Sequence, residues 1–331
     1  MASAHGDGKI TNFGNPVLLN EGCKMTEMEK KIIFIGGKGG VGKSTSAAAI
    51  AWKSAANGYK TLLISTDPAH NLGDIFDKKI GGDIRKVTEQ LYALEIDPEK
   101  ETENYIQGVK QNMKGMVQST MVEEVNRQLD TAKASPGAGE AALFDKLITI
   151  ILEEGNQFDQ LIFDTAPTGH TIRLLSLPEL MGVWIDGLLQ KRQKTNENYS
   201  QLLNDGEPVE DPIYDVLKKR QERFIEVRKI LLDLKQTGFI FVLNPERLPI
   251  LETEKAIELL DKYHLQVRTL IVNKVLPDDV DGNFFKKRKE HEQKYIEKIT
   301  SLFTDQQLIY IPMFSHDIMN KHQLVRVSKY F

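Results

Sequence analysis

One stretch, Ile32 to Thr45 (IIFIGGKGGVGKST), limits what this chain can fold into more than any other. The apolar, β-branched run from Lys31 to Ile35 reads as a buried strand, and the glycine-dense turn after it opens into an alanine-rich segment with helical propensity. Strand, glycine turn and helix in that order, with a lysine and a hydroxyl closing the turn, make a phosphate loop. Backbone N–H groups from Gly37 through Gly39, Gly40, Val41 and Gly42 can converge on a polyphosphate. The helix that starts near Lys43 and runs on through Ser44 and Thr45 adds the positive end of its dipole. Lys43 is expected to neutralise the terminal phosphates and Ser44 to hold a magnesium ion.

A second lysine, Lys38, stands inside the loop. A loop wrapped tightly on its own phosphates gives that ammonium no easy path to them, whereas the phosphates of a facing subunit are within reach. Lys38 therefore suggests a catalytic charge acting in trans, in the manner of an arginine finger, and with it a homodimer. The plainer reading is a solvated lysine.

Length and charge narrow the rest. The 331 residues are enough for two domains, or for one phosphate-loop domain with insertions. A net charge of −4 makes no electrostatic case for nucleic acid. Cys23 is the only cysteine, which excludes an intramolecular disulfide and a cysteine-paired metal site within one chain, and suits a reducing cytoplasmic setting. No run of about 18 apolar residues occurs, so no spanning helix is expected, and the N-terminus lacks the apolar core of a signal peptide.

Residues 1–29 are polar and aperiodic and read as a flexible tail ahead of a nucleotide-binding domain from 30 to 331. Lys60 to Thr66 is a second buried strand, and it delivers Asp67 to its C-terminal end, where open α/β sheets place their ligands. An acid there can orient a water for attack on a γ-phosphate, so Asp67 is the candidate general base; the competing reading is an ordinary helix N-cap. Leu91 to Ile96 alternates as a strand, and Phe158 to Phe163 is another that leads into Asp164. Asp164 stands where a Walker-B carboxylate would hold magnesium through a water. Thr165 to Gly169, with Pro167, can turn N–H groups toward the γ-phosphate and relax on hydrolysis.

Strands resume at Gly238 to Leu243 and Val267 to Val272, with a helix from Thr253 to Tyr263 between them. The amide of Asn273 can read the edge of adenine, and Pro312, Met313 and Phe314, after a last strand at Leu308 to Ile311, can wall the base. At about 100–135 and 176–235 the strand rhythm breaks, and these segments read as an inserted helical subdomain. Apolar residues from Tyr105 to Leu129 fall at helical spacing and include Met113, Met116 and Met121, with Met181 in the second segment. Such a stripe is either packed core or a pliable groove for apolar clients.

The loop from Lys38 to Ser44 resembles that of the deviant Walker-A ATPases. Further pieces, DPAHN at Asp67, LEIDP at Leu94, SPGAGEAALF at Ser135, DTAPTGHTIR at Asp164 and VNKVLP at Val272, resemble the arsenite-pump and tail-anchored-protein-targeting ATPases. The resemblance spans about Lys31 to Lys329 in order. It implies an α/β P-loop fold, doubly wound around a mostly parallel sheet with a helical insert, working as a homodimer that closes over two Mg-ATP. In that scheme Lys38 acts across the interface, Asp67 handles the water, the loop after Asp164 is a switch, and Asn273 reads adenine. The methionine-rich insert implies a groove for the transmembrane segment of a client, with a membrane receptor or pump subunit as a further partner and peripheral contact with a membrane. The runner-up function is an ATPase subunit that energises an arsenite or anion efflux pump.

Two departures qualify the resemblance. The targeting branch commonly carries a zinc-sharing CxxC, and the matching positions here are Gly282 and Phe285, so no zinc is expected. No cysteine follows Cys23, which argues against direct sensing of arsenite, a ligand that needs soft donors.

Overall fold

The computed structural model describes residues 26–67, 72–113, 137–166, 185–194, 211–279, 281–318 and 320–331, with isolated positions between these stretches. In chain order the elements are β1 (Ile32–Gly37), α1 (Lys43–Ala56), β2 (Thr61–Ser65), α2 (Leu72–Phe76), β3 (Arg85–Lys86), β4 (Leu91–Glu95), α3 (Pro98–Met113) and α4 (Ala138–Leu152). They continue with β5 (Gln160–Asp164), α5 (Pro212–Leu232), β6 (Thr237–Leu243), α6 (Arg247–Lys262), β7 (Val267–Val275), α7 (Asn283–Leu302), β8 (Gln307–Pro312) and α8 (Lys321–Ser328).

The strands form one sheet in the order β3-β4-β2-β5-β1-β6-β7-β8. Every ladder is parallel except the short β3, an exposed edge strand antiparallel to β4. Parallel strands need helical crossovers, and helices cover both faces, so β1, β2, β5 and β6 are buried along their whole length. That is why they read as unbroken apolar runs. The result is the doubly wound, mostly parallel α/β architecture expected from the sequence.

Alternation along β1 sorts its side chains between two cores. Ile33 and Ile35 face the alanine-rich α1 together with α8, where Ala47, Ala48, Ile50, Leu324 and Val327 are buried. Ile32 and Phe34 face the other layer, in which α4 contributes Phe144, Leu147 and Ile148, α5 contributes Phe224, Val227 and Leu231, and α6 contributes Ile250 and Leu260. Phe34 is sandwiched between Phe163 and Phe239, with ring centroids 4.6 and 5.4 Å away, which pins β1 between β5 and β6.

Several boundaries differ from the sequence expectation for physical reasons. The chain is already docked at Glu27–Glu29, a 3₁₀ turn that an expected tail of 1–29 would cut away. Glu27 and Lys30 pair while buried, and Gln160 Nε2 donates to the main-chain oxygens of Met28 (2.7 Å) and Lys30 (2.8 Å). The polarity of this segment is spent on internal partners, so it resembled tail. Helix α6 begins at Arg247 rather than Thr253, because Pro249 falls in the first turn, where its missing N–H costs nothing. In the second expected helical segment, Ile185, Leu189, Phe224, Val227 and Leu231 sit in one cluster with Phe34 and Phe163 of the sheet. Met116, Met121, Met181 and Pro167 lie outside the described residues, and Met113 is described only as the last backbone position of α3.

Candidate functional site

The site assembles at the C-terminal ends of β1, β2 and β5, which lie side by side in the sheet. β1 ends on Gly37, whose φ of +143° and closeness to the Val242 carbonyl oxygen on β6 leave no room for a Cβ. The chain then forms a loop whose tip, Gly39 and Gly40, is exposed, while Val41 is buried and anchors the loop to the core. Gly42, at φ +99°, leads into α1, and a Cβ there would run into the side-chain amide of Asn273. Ser44 and Thr45 follow in the first turn of α1, half-buried.

Two lysines act on this loop from different directions. Lys43 is buried, and its Nζ donates to the carbonyl oxygen of Lys38 at 3.2 Å. Burial pulls the Lys43 ammonium below its ordinary pKa, against the upward pull of the carboxylates of Asp164 and Asp67. Lys38 points the other way, to Glu252 on α6, with Nζ and Oε1 2.6 Å apart.

Asp164 closes β5 with no exposed surface. Burial pushes its carboxyl up to about 6, opposed by a hydrogen bond from Ser44 and the charge of Lys43, with nearby Asp67 adding to the rise. Ser65 Oγ lies 3.4 Å from Asp164 Oδ2, while Oδ1 has no hydrogen-bond partner among the described residues. A buried, orphaned carboxylate oxygen beside a serine hydroxyl is a donor set that a hard, oxygen-seeking cation such as magnesium could use. The residues present fit that ion.

Asp67 sits half-buried just past β2, its N–H donating to Ser65 Oγ at 3.2 Å. The N–H groups of Leu72 and Gly73 in the first turn of α2 donate to Oε1 of the buried Glu95 at 2.8 and 3.2 Å. Beyond Asp164, the Thr165 hydroxyl donates to the Ile35 carbonyl oxygen at 2.7 Å and ties the β5 end to β1. Gly169 is helical and exposed.

Asn273 lies inside a strand rather than just after one. β7 continues to Val275 through a bulge, with a register shift between Val272 and Val275 and Lys274 at φ +58°. The bulge aims Asn273 at the loop, where Nδ2 donates to the Val41 carbonyl oxygen at 2.8 Å, and Lys274 Nζ reaches that of Gly40 at 3.2 Å. Pro312, Met313 and Phe314 do come together. With Pro277, Phe285 and Arg326 they line a cavity of about 580 Å³ that Asn273 does not line.

Sequence reasoning missed four residues of this neighbourhood. Glu252 and Lys274 carried no signal, since each is one charge among many on a helix or strand end. Ser65 and Thr66 could have been found, because two polar residues closing a buried apolar strand must have internal partners.

Residues 30–331 match the family model described as anion-transporting ATPase. The Aquifex aeolicus (strain VF5) protein named arsenical pump-driving ATPase 2 is 34% identical over 300 residues, 91% of this chain and 98% of that protein. ATPase GET3 of Komagataella phaffii is 34% identical over 316 residues, covering 91% of this chain and 89% of its own. ATPase GET3B of Arabidopsis thaliana is 36% identical over 292 residues, 82% of this chain and 71% of its own. Among the described residues no helix is long and apolar enough to cross a membrane. Because the family match runs from Lys30 to the last residue and the relatives align over most of their own lengths, the chain belongs to the anion-transporting ATPase family and is an ATP hydrolase.

Proposed function

We propose that this protein is a Mg-ATP-dependent dimeric switch of the cytoplasm that binds the transmembrane segments of tail-anchored membrane proteins and delivers them to a membrane. The observation that carries the reading is the run of relatives named GET3 and ASNA1 ATPases, aligned across nearly the whole chain, beside the resemblance of its motifs to the targeting branch.

In this reading Gly37 to Thr45 cradle the phosphates, Lys43 neutralises them, and Ser44 and Asp164 hold magnesium, the latter through a water. That ion supplies charge neutralisation on the phosphate oxygens when bound. Asp67 orients the attacking water, and the main chain after Asp164, with Pro167 and Gly169, follows the phosphate state. Asn273 braces the loop and reads adenine once nucleotide replaces its contact with Val41, while Pro312, Met313 and Phe314 wall the base. Lys38 acts on the phosphates of a second copy. The domain runs from about 30 to 331 with the turn at Glu27–Glu29 packed against it, and with helical inserts near 100–135 and 176–235, whose Met113, Met116, Met121 and Met181 line the client groove. A membrane receptor is a further partner, and neither zinc nor nucleic acid has a role.

The family's description and the arsenical pump-driving relative favour a second reading, an ATPase that energises an anion exporter. Turnover of the purified protein separates them, measured with and without a detergent-held transmembrane peptide and, in parallel, with arsenite. Peptide retained in a nucleotide-dependent complex with turnover indifferent to arsenite is the expected result. Stimulation by arsenite without peptide retention would replace targeting by the exporter reading.

A further inference from the structure

Among the described residues, one side-chain pair ties the glycine-rich loop to α6. Lys38 Nζ and Glu252 Oε1 are 2.6 Å apart, joining residues 214 positions distant in sequence. Lys38 is 30% exposed and Glu252 44%, so the pair is wet and its ions can be exchanged at little cost. The lower side of the same loop residue is held too, since Lys43 donates to the Lys38 carbonyl oxygen. Further along, Glu246 at the start of α6 pairs with Arg288 of α7 at 2.9 Å.

A lysine ammonium facing one carboxylate cannot also serve a polyphosphate elsewhere, and a carboxylate left near that polyphosphate repels it. We infer that Glu252 is a positioning residue that holds Lys38 in the nucleotide-free protein, and that transfer of this ammonium from Glu252 to phosphate frees α6 from the loop. This rests on the phosphate-loop reading above. Nucleotide binding is thereby reported to the α6–α7 face, where Leu248 in the first turn of α6 is 60% exposed.

The test is calorimetric binding of Mg-ATP and ADP at low salt to wild type, Glu252→Gln, Lys38→Gln and the double variant, with steady-state turnover alongside. Glu254→Gln is the control, because it removes the same charge from the same helix without touching Lys38. Glu252→Gln is expected to tighten binding and lower KM about two- to five-fold, the range of an exposed ion pair, with kcat changed less. The gain should shrink as salt rises. It should vanish in the Lys38→Gln background, which a purely structural role of Glu252 would not produce. Equal binding by Glu252→Gln and Glu254→Gln, with wild type still binding nucleotide, overturns this inference alone. A wild type that binds neither nucleotide overturns the phosphate-loop reading and this inference together.

Discussion

The Thr66 hydroxyl donates to the carbonyl oxygen of Asp164 at 3.3 Å, and the Thr66 N–H donates to the same oxygen at 2.9 Å. The hydroxyl also accepts from the N–H of Ala166 at 3.3 Å. One buried side chain therefore joins the end of β2, which carries Asp67, to the end of β5, which carries Asp164. Replacing Thr66 by Val keeps the shape and removes the hydroxyl that bonds to both the Asp164 carbonyl oxygen and the Ala166 N–H. We expect a loss of about 1–3 kcal/mol in urea denaturation and a fall in turnover. Thr66→Ser, which keeps the hydroxyl, should restore most of both.

Asp67 lies close enough to Lys43 for its charge to oppose the fall that burial imposes on the lysine's pKa. Asp67→Asn should lower kcat by about 10²–10⁴-fold while nucleotide binding stays near wild type. Phosphate release in single and multiple turnover measures it. An unchanged kcat would remove Asp67 from the chemistry.

Asp164 links pH to stability. Its carboxyl keeps its proton up to about 6 in the folded protein, while an unfolded aspartate releases it near 3.8. Between those values the folded state holds one more proton, so this group favours folding at low pH, and the contribution disappears as pH rises through about 6. At about 1.4 kcal/mol per pH unit of separation the effect is roughly 3 kcal/mol. Urea midpoints of nucleotide-free wild type and Asp164→Asn from pH 4 to 7.5 should differ by this slope. Magnesium affinity should move the opposite way, weakening below about 6 as protons compete for the carboxylate.

At Gly37 the left-handed φ and the Val242 carbonyl oxygen both exclude a side chain, whereas nothing lies within 4 Å of where a Cβ would sit at Gly39. Gly37→Ala should cost about 2–4 kcal/mol by disturbing the β1–β6 ladder, and Gly39→Ala should stay within about 0.5 kcal/mol of wild type. Thermal melts of the nucleotide-free variants measure this contrast.

Lys30 and Glu27 are 2% and 6% exposed and pair with each other. Lys30→Ala should cost about 3–5 kcal/mol, since it strands the Glu27 carboxylate in the core, and an apolar replacement of both should recover much of that loss. Denaturant titration of the single and double variants decides it.

By itself the sequence determined the elements whose signals are local. A strand covered on both faces must be apolar throughout, so β1, β2, β5 and β6 were legible as runs, and the lysine-bearing glycine loop between strand and helix was legible because its geometry demands those residue types in that order. The placement of Asp67 and Asp164 at strand ends was legible because each comes at the close of such a run. What tertiary structure alone decided were pairings between distant segments. Glu252 meets Lys38, Glu95 accepts from the first turn of α2, a bulge in β7 turns Asn273 onto Val41, and Glu27–Lys30 docks where polarity had suggested tail. A charged or amide side chain has no periodicity of its own. Its role is set by whichever partner the fold brings within about 3 Å, and that partner lies elsewhere in the chain.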